Sequence, residues 1–209
     1  MRRVLFAAIL IGALPSLARS QTIEITPMAG FRFGGTLLRF EAVGPAATNA
    51  GLEVGDSATF GVHLGYRIGE FEIEALYARQ ATNLQLPGLF TGAPLMDLTL
   101  ETWQAGGNYL IGAKDARVVP FIGFGLGLTR LLPEPQGLTD ETRFSASFAG
   151  GVKFWLGKHV GIRLEGRAFV TVLDSETDRS CGPNSGCGSQ VAGTDLYQGE
   201  ARGGLILRF

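Results

Sequence analysis

Eight stretches of the chain set apolar residues at every second position against a face of polar residues or glycine, the period of a β-strand. In the first, Ile23, Ile25, Pro27, Ala29, Phe31 and Phe33 oppose Glu24, Thr26, Met28, Gly30 and Arg32. The second sets Phe60, Val62, Leu64, Tyr66 and Ile68 against Gly61, His63, Gly65 and Arg67, and the third sets Phe71, Ile73, Ala75 and Tyr77 against Glu72 and Glu74. Trp103, Ala105, Gly107 and Tyr109 alternate with Thr102, Gln104, Gly106 and Asn108, and Val118, Pro120, Ile122, Phe124, Leu126 and Leu128 alternate with Gly123, Gly125, Gly127 and Thr129. The sixth stretch opposes Phe144, Ala146, Phe148, Val152 and Phe154 to Ser145, Ser147, Gly151 and Lys153. In the seventh, Ile162, Leu164, Ala168 and Val170 face away from Arg163, Glu165 and Arg167. In the eighth, Tyr197, Ala201, Leu205, Leu207 and Phe209 face away from Gln198, Glu200, Arg202 and Arg208.

The connections alternate in length. "IGEF", "GAKDA" and "LGKH" are tight, whereas the segments 35–56, 80–95, 131–141 and 173–195 read as long and irregular. This layout predicts an all-β fold, an eight-stranded antiparallel up-and-down arrangement with short turns at one end and loops at the other. Period two alone fits a soluble sandwich with its apolar face inward as well as a membrane barrel with its apolar face outward. Two features favour the transmembrane barrel. The polar face is rich in glycine, which suits a narrow interior. Aromatic residues also gather at strand ends on the apolar face (Phe33, Phe60, Tyr66, Phe71, Tyr77, Trp103, Tyr109, Phe144, Phe154, Tyr197, Phe209), where interfacial girdles form.

Residues 1–20 have a different character. Arg2 and Arg3 precede the apolar run Val4 to Leu17, and Ala18-Arg19-Ser20 supplies small residues for cleavage, so they read as a secretory signal peptide ahead of a single domain, 21–209. Lys and Arg total 18 and Asp and Glu 19, and three of the arginines belong to the leader. The remainder is mildly acidic and has no basic stretch to follow a phosphate backbone, so nucleic acid is not an expected partner. No later segment is apolar over the ~18 residues of a spanning helix. Cys181 and Cys187, in "CGPNSGC", would meet an oxidising compartment and form a local disulfide.

The ending "RGGLILRF" resembles the C-terminal sorting signal of bacterial outer-membrane barrels, with Arg202, Gly204, Leu207 and the terminal Phe209 at the matching positions. "ITPMAGFRFGG", "EFEIEALYARQ", "VVPFIGFGLGLTR" and "RFSASFAGGVKFWLG" are similar to the small outer-membrane protein β-barrel domain family of OmpA/OmpX type. The resemblance covers nearly all of the chain after residue 20. It implies a monomer in the lipid of the bacterial outer membrane, delivered by the barrel-assembly machinery that reads the last strand.

An eight-stranded barrel is just wide enough for its own side chains to fill. The expected interior holds Arg32, Arg67, Lys153, Arg163, Arg167, Arg202 and Arg208 facing Glu24, Glu72, Glu74, Glu165 and Glu200. A two-residue turn at Gly69-Glu70 sets the register: Ile68 opposite Phe71, Arg67 opposite Glu72, Gly65 opposite Glu74, and His63 diagonal to Glu74. The expectation is a salt-bridged, plugged lumen without a continuous water channel, because unpaired charges in so narrow a tube are costly.

The motifs that carry chemistry elsewhere lack essential parts. "GGNYLIGAK" has Asp115 where a phosphate loop needs Ser or Thr, and "GFGLG" lacks the dinucleotide spacing. His159 falls at a tight turn and His63 points inward, positions that do not suit a lipid A-modifying enzyme at the outer leaflet. "DSETDR" (174–179) lacks the glycine and distal glutamate of an EF-hand, leaving weak calcium binding, or cations shared with lipopolysaccharide, as the lesser reading beside a solvated loop. No catalytic residue, cofactor or metal is assigned. The leading expectation is a non-enzymatic surface barrel contributing to envelope structure or to extracellular contacts through loops such as the apolar "LPGLF" (86–90). The alternative is a narrow passive path for small or hydrophobic solutes.

Overall fold

The computed structural model describes residues 22–42, 50–85, 94–112, 116–134, 140–172, 189–193 and 195–209. Eight long strands form the wall: β1 (Thr22–Phe33), β4 (Ser57–Ile68), β5 (Phe71–Gln85), β6 (Pro94–Leu110), β7 (Val118–Glu134), β8 (Glu141–Trp155), β9 (Val160–Thr171) and β11 (Leu196–Arg208). Each pairs antiparallel with its neighbours in the order β4-β1-β11-β9-β8-β7-β6-β5, and the β5–β4 ladder closes the ring. The expected eight-stranded antiparallel barrel is therefore the observed fold. Closure gives the wall no free edge, which a hydrocarbon environment demands of any strand that crosses it.

The Gly69-Glu70 turn has the anticipated register. Ile68 faces Phe71, Arg67 faces Glu72 and Gly65 faces Glu74. Gly69 adopts φ 65°, a conformation that glycine takes at little cost. Thr22, Phe209 and the tight turns at 69–70 and 156–159 share one end of the barrel, here the turn end. The opposite end is the loop end.

Two expectations about the connections are corrected. Segments 35–56 and 173–195 are not wholly irregular: they carry β2 (Thr36–Ala42), β3 (Ala50–Val54) and β10 (Ser189–Gly193), which pair as β10-β2-β3 and join the top of β5 through Glu53–Gln85 and Val54–Leu84. Segments 80–95 and 131–141 are shorter as loops than expected, since β5, β6 and β7 run on into them. The cause is a change in the sign of the alternation. Near the loop end the inward positions become apolar (Leu84, Leu98, Leu100, Leu131) while Arg79, Glu101 and Arg130 stand outward in one cross-strand row. A search for apolar residues in the outward phase stops where the phase reverses.

Between those levels the outer surface is an apolar band. Phe60, Phe71, Phe124, Phe148 and Leu126 are all more than half exposed, an arrangement that only a nonpolar solvent stabilises.

Candidate functional site

The interior is the chemically dense part of the molecule. Because alternate residues point to opposite faces, each wall strand delivers its polar set into the lumen. The structure brings together Arg32, His63, Arg67, Glu72, Glu74, Lys153, Arg163, Glu165, Arg167, Glu200 and Arg202, with Glu24 beside them, all buried.

The network has three levels. Nearest the turn end, Lys153 Nζ lies 2.7 Å from Glu24 Oε2 and also contacts Glu72, while Arg208 reaches Glu24 at 3.0 Å. At the centre Arg163 contacts Glu165 at 2.5 Å, Glu74 at 2.8 Å and Glu72 at 3.3 Å. Arg167 spans Glu74 at 2.5 Å and Glu165 at 2.7 Å, and Arg202 meets Glu165 at 2.5 Å. Toward the loop end Arg32 holds Glu200 at 2.6 Å, and the Thr59 hydroxyl donates to the same carboxylate. Asn108 Nδ2 donates to Glu72 and Glu74, linking the lower and central levels.

His63 is fixed from two sides. Its Nδ1 lies 2.9 Å from Glu74 Oε2, and its Nε2 is 2.8 Å from Arg202 Nη2. A guanidinium can only donate, so Nε2 accepts and the ring proton sits on Nδ1, facing Glu74. The ligand atoms of His63, Glu74 and Glu165 lie within 4.8 Å of one another, as a metal site requires. The same carboxylates face Arg163, Arg167 and Arg202. A metal cation would have to sit among three guanidiniums, so the donor set does not suit one.

Arg67 is opposite Glu72, as the turn register requires, but its Nε donates to the Gly69 carbonyl at 3.0 Å. Glu72 reaches across the lumen to Lys153, Arg163 and Asn108 instead.

Apolar clusters pack beside the charged core toward both ends, a feature absent from the sequence-based expectation. Val54, Leu84, Leu98, Leu100, Leu131 and Leu196 pack together at the loop end. At the turn end Leu110, Val119 and Phe121 form a second layer, with Ala116 and Trp155 against it. Arginines join these layers through their planar faces: Arg163 lies over Phe121 with 4.3 Å to the ring centre, and Arg208 over Trp155. The signal for Val119 and Phe121 was present in the alternation, since both share the parity of inward-facing Gly123 and Gly125.

On β11, Arg202 points inward and Gly204 packs so tightly that a Cβ there would lie 2.5 Å from the Pro27 carbonyl oxygen. Leu207 is paired with Ile25, and the exposed Phe209 exchanges backbone hydrogen bonds with Ile23 at the turn-end rim. His159 lies in the β8–β9 turn with Nδ1 3.1 Å from the Arg208 carbonyl oxygen, far in the fold from His63. Cys181, Cys187, the 174–179 acidic stretch, "LPGLF" and residues 1–20 lie outside the described residues.

Two solved structures are similar to this chain over nearly its whole length. Neisserial surface protein A (NspA) is 16% identical with a TM-score of 0.59, covering 91% of this chain and 100% of that one. The outer membrane protein OprG from Pseudomonas aeruginosa is 12% identical with a TM-score of 0.61, covering 90% of this chain and 95% of that one. Identities at this level speak for the fold alone. No curated protein sequence matches the chain. The family model for the outer membrane protein beta-barrel domain matches residues 4–209, and with a closed eight-stranded barrel bearing an apolar belt, the chain belongs to that family of outer-membrane proteins.

Proposed function

We propose that this protein is a non-enzymatic, closed barrel of the bacterial outer membrane that anchors and displays its loop-end segments and strengthens the envelope, without conducting solutes. One observation carries the reading: a core of buried, mutually paired cations and carboxylates fills the lumen, with apolar clusters packed beside it toward both ends. A hydrated ion entering the lumen would lose water against leucines at the loop end and, from either end, would have to displace an existing ion pair. That opposes the narrow transport path.

The non-enzymatic reading is supported by the same enclosure. His63 is engaged by both Glu74 and Arg202 and has no exposed approach for a substrate. In this proposal residues 1–20 are the export signal, 21–209 form a single monomeric domain, and Arg202, Gly204, Leu207 and Phe209 present the last strand to the assembly machinery. Cys181 and Cys187 would tie the fourth loop, and partners would be met through the loops.

The test is refolding into lipid followed by planar-bilayer recording. A band that shifts on boiling together with silent bilayers is expected. Stable openings of porin size from such folded protein would overturn the closed-barrel reading.

A further inference from the structure

The apolar belt is interrupted by a groove of about 480 Å³ on the β5–β6–β7–β8 side, within the ~300–1,000 Å³ of small-molecule sites. It exists because Gly107 faces outward in the cross-strand row Ile73–Gly107–Phe124–Phe148, so one side chain is missing between Ile73 and Phe124. Phe71, Tyr109 and Ile122 line its turn-end half.

Local packing does not require this glycine. A Cβ at Gly107 would meet nothing nearer than the Glu72 carbonyl oxygen at 3.4 Å, an ordinary contact. At the adjacent, inward-facing Gly106 a Cβ would lie 1.9 Å from the Phe124 carbonyl oxygen. Gly106 is thus a necessity of the wall, whereas Gly107 leaves space on its outer surface.

The groove has a polar end. The Phe71 and Tyr109 rings pair at 5.2 Å, and the Tyr109 hydroxyl donates to Glu70 Oε2 at 3.1 Å. Glu70 is exposed in the tight turn just beyond the groove, so the apolar channel leads past Tyr109 to a carboxylate at the turn-end rim. An acyl chain fits the first part, and a cationic headgroup complements the second.

We infer that this groove holds one phospholipid with an ammonium headgroup, phosphatidylethanolamine, from the leaflet at the turn end, its acyl chain over Gly107 and its ammonium at Glu70. The inference rests on the membrane-barrel reading. Tyr109 and Glu70 select the headgroup and Gly107 admits the chain.

The experiment is native mass spectrometry of the folded protein released from vesicles containing equal phosphatidylethanolamine and phosphatidylglycerol, with a boiling-shift gel on the same sample. The wild type is expected to retain one lipid, favouring the ethanolamine form about 2- to 5-fold, the range a surface ion pair supplies. Gly107→Leu should lower retention of either lipid about tenfold, equivalent to the contacts of about two methylene groups. Glu70→Gln, at an exposed turn where folding is not at stake, should keep the lipid and lose the preference. No preference in the wild type, a preference for the glycerol lipid, retention unchanged in Gly107→Leu, or preference unchanged in Glu70→Gln would each overturn the inference. A wild type that does not shift on boiling would instead refute the barrel reading beneath it.

Discussion

Glu165 on β9 and Arg202 on β11 stand directly opposite each other in the sheet, and their side chains meet at 2.5 Å inside the lumen. Glu165 also serves Arg163 and Arg167, so one carboxylate compensates three buried cations. Removing its charge takes a shared counterion from three buried guanidiniums and leaves Arg202 only the more distant Glu200, at 3.6 Å; breaking a buried ion pair in this way costs about 3–5 kcal/mol. Glu165→Gln should lower the unfolding free energy by that amount in urea titrations of lipid-embedded protein. The double variant with Arg202→Gln should recover part of the loss, since the two sites are coupled.

Glycines in the wall should differ sharply in their tolerance to alanine. A Cβ at Gly127 would lie 1.9 Å from the Trp103 carbonyl oxygen, while one at Gly166 would meet no atom within 4 Å. Gly127→Ala should therefore cost about 1–3 kcal/mol by overpacking, and Gly166→Ala should be neutral. Boiling-shift gels across a urea series will separate the two.

The two tryptophans lie on opposite faces of the wall. Trp103 is 57% exposed on the outer face beside Tyr77, whereas Trp155 packs under Arg208 at the turn end. Brominated lipids should quench wild-type fluorescence, and the quenching should largely vanish in Trp103→Phe but persist in Trp155→Phe. Quenching carried by Trp155 would contradict the outward orientation of the apolar belt.

Leu100 is fully buried in the apolar layer at the loop end. Leu100→Ala should cost about 2–5 kcal/mol by leaving a cavity, measured by urea unfolding. Planar bilayers should nevertheless stay silent, because the ionic levels beneath the layer still block the lumen.

The sequence by itself determined the number of wall strands, which charged side chains face the lumen and the register at Gly69-Glu70. These are consequences of period two and of a turn only two residues long, both local properties. The partners of those charges were decided only by the tertiary structure. Register places Arg67 opposite Glu72, yet Glu72 bonds Lys153 and Arg163 from β8 and β9, because in a narrow closed tube long side chains meet across the lumen as readily as along the wall. The apolar layers escaped for a related reason. Leu84, Leu98, Leu100 and Leu131 belong to strands that rise past the lipid-facing aromatics, where water lies outside and the favoured side for an apolar residue reverses. Where along a strand that reversal falls depends on the height of the neighbouring strands, which only the assembled barrel specifies.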